Sequence, residues 1–154
     1  SWLLTRLARF GVPLLAGADA EIGLFGLESK GVLEGTRRIH RELWLLVAAG
    51  LTPLEALRAA TLNPAKYWHA TDSLGTVAAG KLADLVVLDG NPLVDIRNTQ
   101  RIRAVVANGR YLDQQTLEAT RAELKQRLGQ IWAEMLERMR KAQQAQQAPP
   151  GQQP

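Results

Sequence analysis

The chain has 154 residues, 46% of them hydrophobic, and a formal net charge of +4. That is enough for one ordinary domain with a packed core, but short of the roughly 250 residues of a complete eight-stranded parallel barrel. The absence of cysteine excludes disulfides, thiolate metal sites and a cysteine nucleophile, and leaves the compartment unidentified.

Basic residues are spread from Arg6 to Lys141 among fifteen acids, which is the pattern of a solvated surface and not of a nucleic-acid interface. No apolar run reaches the length of about 18 residues that a membrane span requires. Ser1 is not an initiator methionine, so the N-terminus is expected to be a truncation or processing point.

Apolar residues at 2, 3, 4, 7 and 10, with Arg6 and Arg9 between them, predict a short helix that Gly11 ends. Val12 to Ala16 reads as a short buried strand, with Asp19 just past its C-terminal end. Glycines at 23, 26, 31 and 35 make 21–38 a long loop of the kind that shapes pockets. Ile39, Leu43, Leu46 and Val47 then mark one face of a helix that stops at Gly50. Thr52-Pro53-Leu54-Glu55 has the composition of a reciprocal cap followed by another helix. Asn63-Pro64 predicts a second cap and a short helix through about Trp68.

Strands are expected next. Gly75 to Val77 reads as a short extended piece, Leu85 to Leu88 as a fully apolar strand, and Ile102 to Ala107 as another. Asp89-Gly-Asn-Pro92 is turn chemistry, and Asn108-Gly109 favours a two-residue type I′ hairpin leading to Tyr111 and Leu112. From Thr116 an apolar stripe of Leu117, Leu124, Leu128, Ile131, Trp132, Met135, Leu136 and Met139 has near-helical period. Glu123–Arg127, Glu134–Arg138 and Glu137–Lys141 are i,i+4 pairs in the favourable order. Arg127 and Arg138 interrupt any heptad, which points to a packed surface helix or a dimer contact instead of a long coiled coil. The Gln-, Ala- and Pro-rich residues 143–154 read as a disordered tail.

A short apolar run ending in a lone acid is how a barrel strand delivers a carboxylate to an active site. Gly11-Val-Pro-Leu-Leu-Ala-Gly-Ala-Asp19, His40-Arg-Glu-Leu43, Leu51-Thr-Pro through Asn63-Pro64-Ala65, and Gly80-Lys-Leu-Ala-Asp-Leu-Val-Val-Leu-Asp89 together resemble the C-terminal part of the metal-dependent amidohydrolases, in particular the imidazolonepropionase-like branch. The resemblance runs from about Phe10 to Leu112. It implies an α/β fold: the C-terminal portion of a TIM-like (β/α) barrel in residues 1–70, part of a small β-sandwich in 71–113, an amphipathic helix in 114–142 and a tail in 143–154.

The same resemblance assigns Asp19 to the metal site, most simply one of zinc. There the carboxylate takes the proton of the metal-bound water as hydroxide attacks the substrate, and passes it to the leaving nitrogen. Family members often carry Thr before this Asp, where this chain has Ala18. His40 is implied as a pocket-wall residue, and Asp84 and Asp89 as structural. The implied partner is a small molecule with a hydrolysable C–N bond: a cyclic amide, an amidine or a dipeptide-like compound. The chain holds two histidines and no His-x-His pair, so the remaining metal ligands must come from elsewhere. With the flanking barrel strands mostly absent, the isolated chain is expected to self-associate or to be only partly ordered. The alternative is a non-catalytic barrel remnant that associates through its C-terminal helix.

Overall fold

A computed structural model describes residues 2–17 and 38–147. Asp19 and the Gly-rich stretch after it lie outside the described residues. The elements in chain order are α1 (Trp2–Arg9), α2 (Arg38–Ala48), α3 (Pro53–Ala60), α4 (Leu62–Tyr67), β1 (Leu85–Leu88), a 3-10 turn (Ile96–Gln100), β2 (Ile102–Ala107), β3 (Arg110–Asp113) and α5 (Gln114–Gln147). The architecture is α/β: a helical part, a three-stranded antiparallel sheet in the order β1-β2-β3, and a C-terminal helix.

The core joins the helical part to the 3-10 turn that precedes β2. Leu43 and Leu46 of α2, Leu51, Ala56 and Ala59 of α3, and Ile96 of the 3-10 turn form one buried cluster, flanked by Leu4, Leu14, Ala16 and Val47. The helix periodicity places Leu43 and Leu46 on one face of α2. Gly50 ends that helix at φ +107°, in the left-handed region, and a Cβ there would fall 2.6 Å from Thr5 Cγ2 of α1. The close approach of α1 and the backbone turn both require glycine.

The cap on α3 forms as the sequence predicts. Thr52 Oγ1 accepts from the Glu55 amide at 3.2 Å, and the Thr52 amide donates to Glu55 Oε2 at 2.7 Å. The Thr52 amide and hydroxyl, both donating to Oε2, hold the Glu55 carboxyl below its usual range, with a smaller contribution from Arg58. Thr52→Ala removes the acceptor for one orphan helix amide and should lower stability by about 1 kcal/mol in urea unfolding. An unchanged midpoint would count against the cap.

Three expectations need correction. Val12 to Ala16 enters no ladder, because none of the described strands lies beside it, and Val12 and Leu15 are exposed instead of buried. It is fastened to helix ends: the Ala16 amide donates to the Ala59 carbonyl at 2.9 Å, and Asn63 Nδ2 donates to the Leu14 carbonyl at 2.8 Å. The Ala59 carbonyl lies in the last turn of α3, where helices leave acceptors without an internal partner. Asn63 is therefore no N-cap; α4 begins at Leu62 after Thr61, which makes no side-chain capping bond. Gly75 to Val77 is no strand either. Gly75 has φ +87°, and Lys81 Nζ gathers the Thr71 carbonyl and the Thr76 hydroxyl, closing 71–76 into turns.

The sheet matches its sequence more closely. Asn108 (φ +49°) and Gly109 (φ +73°) both adopt the left-handed conformation of a type I′ hairpin between β2 and β3. Asp84 accepts from the Asn108 amide at 2.7 Å, and Asp89 pairs with Arg103 at 2.6 Å. The two acids thus pin either end of β1 to its neighbour. In the Asp89–Pro92 turn, Asn91 Oδ1 accepts from the Leu93 amide at 2.9 Å.

Asp113 Oδ1 accepts from the Thr116 amide at 2.8 Å and caps α5. The helix consequently starts at Gln114 and not Thr116, and it continues through Gln147, into the stretch that composition alone gave to the tail. Long runs of Gln and Ala are good helix formers, and a helix already nucleated upstream adds them at little cost. Of the predicted pairs on this helix, Glu123–Arg127 (4.0 Å) and Glu137–Lys141 (3.6 Å) form. Among the described residues, no helix is long and apolar enough to cross a membrane.

Candidate active-site region

The segment leading to Asp19 is held by α3 and α4. The bonds from Asn63 to Leu14 and from Ala16 to Ala59 tie down the last residues before the acid, across sequence separations of 49 and 43 positions. Ala56 and Ala59 are fully buried, so the α3 surface facing this segment is flat and the backbone can approach it. Nothing local in the sequence marks Asn63 for this positioning role. The Asn-Pro pair has the same appearance in a helix cap.

An open cavity of about 440 Å³ is lined by Gly11, Pro13, Leu14, Glu55, Arg58 and Lys66, among others. It sits at the N-terminal end of the extended segment, whereas Asp19 follows the C-terminal end. The Glu55 carboxylate is occupied by its capping bonds. Glu55 is the one acid that lines the cavity, so the cavity offers no unengaged carboxylate as a base.

His40 lies in the first turn of α2, half-buried, against the 3-10 turn. Its Nδ1 is 3.1 Å from Thr99 Oγ1. The Thr99 hydroxyl, buried at 6% exposure, donates to the Ile96 carbonyl at 2.8 Å. A hydroxyl has one proton to give, so Nδ1 is the donor to Thr99 and the neutral imidazole carries its hydrogen there. Burial holds the His40 pKa below its ordinary value. The structure thus places His40 against Thr99 and away from the cavity. A contact across 59 residues has no local sequence signal.

A pH dependence follows. Below about pH 6.5 the unfolded chain takes up a proton on this imidazole that the folded chain resists. Stability should fall as pH drops through that value, and it should level off below the folded pKa. His40→Gln should flatten this slope in urea melts recorded across the window. An identical slope in the variant would remove His40 as its source.

No group of three or more His, Asp or Glu among the described residues is arranged to hold a metal ion. These residues do not fit a zinc centre, which takes three or four ligands.

The amidohydrolase family model matches residues 7–112, from within α1 through most of β3, and the chain belongs to that family. It is similar to adenine deaminase 2 of Jannaschia sp. (strain CCS1), 41% identical over 69 residues that cover 44% of this chain and 11% of that protein. It is similar to the imidazolonepropionase of Pyrobaculum arsenaticum, 37% identical over 86 residues that cover 56% of this chain and 19% of that protein. Among solved structures, molinate hydrolase superposes with a TM-score of 0.58 at 34% identity, over 71% of this chain and 25% of that one. The chain therefore spans a tenth to a quarter of the length of these relatives.

Proposed function

We propose that this chain carries the C-terminal portion of a metal-dependent amidohydrolase, one that hydrolyses a C–N bond in a small cyclic amide, amidine or dipeptide-like compound. The observation that carries the reading is the family match over 7–112. It is supported by relatives named adenine deaminase and imidazolonepropionase and by the superposition on molinate hydrolase. In this reading residues 1–70 are the last helix–strand units of a barrel, 71–113 are part of a composite β-sandwich, and α5 (Gln114–Gln147) is an appended helix. The extended segment 12–17 is then a barrel strand whose neighbours come from the rest of the protein.

Asp19 is the residue this chain brings to the chemistry. Its carboxylate accepts the proton of the attacking water and returns it to the leaving nitrogen, so that the amine departs neutral. Asn63 and Ala59 fix the backbone that presents it. His40 contributes to the wall on the substrate side, held by Thr99.

One acid is too few donors for zinc. The 154-residue chain alone should take up no stoichiometric, tightly held zinc in equilibrium dialysis; one-to-one tight uptake would overturn this assignment of ligands. The reaction itself is tested on the intact hydrolase. With zinc restored, it should release an amine or ammonia from at least one of the three substrate classes. A folded, metal-loaded protein inert toward all three would overturn the proposed function.

A further inference from the structure

The residues that break a heptad on α5 stand eleven apart. Ala122-Glu123-Leu124, Arg127-Leu128 and Ile131 recur as Ala133-Glu134-Met135, Arg138-Met139 and Ala142. Eleven residues make just over three helical turns, so this repeat keeps one face aligned along a nearly straight helix. The repeat lies outside the family-matched residues 7–112. Within the chain, α5 packs against β3 and β2, next to its own first turns. Further along, Leu124, Ile131 and Met139 remain 45%, 54% and 39% exposed.

We propose that a second copy of this chain covers that face, with the two α5 helices antiparallel about a two-fold axis between Gly129 and Gln130. This axis sets Leu124 level with Met135 of the second copy, and Leu128 level with Ile131, so the apolar stripe meets itself without a gap. Charge selects the same arrangement. One flank of the stripe carries Glu123, Arg127, Glu134 and Arg138 in that order. Antiparallel helices bring like flanks together, so Glu123 lies within reach of Arg138 of the second copy and Arg127 within reach of Glu134, each pair occurring twice by symmetry. A parallel pair would instead set this flank against the other, which carries Arg121, Lys125, Trp132 and Leu136, and the match is lost. The Glu123–Arg127 contact within the helix, at 4.0 Å between exposed side chains, is weak enough to be exchanged.

The size is sufficient. From Leu117 to Met139 the stripe runs about 33 Å along the helix. Two helices meeting over that length bury on the order of 800 Å² per copy, which is the size of a standard specific interface.

The test uses the 154-residue chain, whose lack of cysteine makes engineered thiols unambiguous. Sedimentation equilibrium should show a dimer at about 100 μM. Arg127→Glu should weaken it roughly tenfold, and adding Glu134→Arg in the same chain should restore it. Oxidation of a mixture of the Leu124→Cys and Met135→Cys chains should give a covalent heterodimer. Neither chain should cross-link with itself, because antiparallel symmetry holds each position about 16 Å from its own mate. A monomer at the same concentration overturns the proposal. So does cross-linking of Leu124→Cys with itself, which reports a parallel pair. So does a dimer that survives Leu128→Glu with Ile131→Glu, which reports association through another surface. Circular dichroism at 222 nm confirms that each variant keeps its helix.

Discussion

Asp19→Asn in the intact hydrolase should lower kcat by about 10²–10⁴-fold, the range typical of losing a positioned proton acceptor. Asparagine keeps the size and the hydrogen-bonding reach of aspartate but cannot take a proton from water at neutral pH. Substrate binding should change far less than turnover, since the lost interaction belongs to the transition state. The thermal midpoint should hold, because the backbone before Asp19 is tied by Asn63 and Ala59. Turnover equal to that of the unaltered enzyme would remove Asp19 from the mechanism. A parallel fall in midpoint and activity would assign it a structural role instead.

Leu46→Ala should destabilise the chain by about 2–5 kcal/mol, measured by urea unfolding of the 154-residue protein. Leu46 is 6% exposed and belongs to the cluster formed by Leu43, Leu51, Ala56, Ala59 and Ile96. Its partners Ala56 and Ala59 have no side-chain atoms beyond Cβ to move into the vacated space, so the cavity should persist. The effect should also reach the sheet, because Ile96 ties the 3-10 turn ahead of β2 into the same cluster. A loss below about 1 kcal/mol would mean that the site collapses around the smaller side chain.

Legibility in the sequence tracked the range of each interaction. The Thr52–Glu55 cap and the Asn108-Gly109 hairpin are complete within four residues, and both formed as read. The strands β1 and β2 were recognisable from their own apolar, β-branched residues, although Val86 and Val87 of β1 remain exposed. Val12 to Ala16 has the same apolar texture, yet a ladder needs a neighbour that no local pattern supplies. Asn63 shows the converse. Its local chemistry suited a cap, but the Leu14 carbonyl, 49 positions away, claimed the side chain. In the candidate site, Asp19 was legible only through resemblance, and it falls outside the described residues. The bond from His40 to Thr99 bridges two elements that sequence alone could not bring together.

Ala56 and Ala59 bear on how this sequence can drift. Both are fully buried, and the Ala59 carbonyl holds the Ala16 amide. A larger residue at either position would push α3 away from the segment 12–17, while glycine would loosen the helix by about 1 kcal/mol. Purifying selection should therefore be as strict at these two alanines as at a residue that meets substrate, and any enlargement there should be found paired with a smaller residue at Leu14 or Leu46.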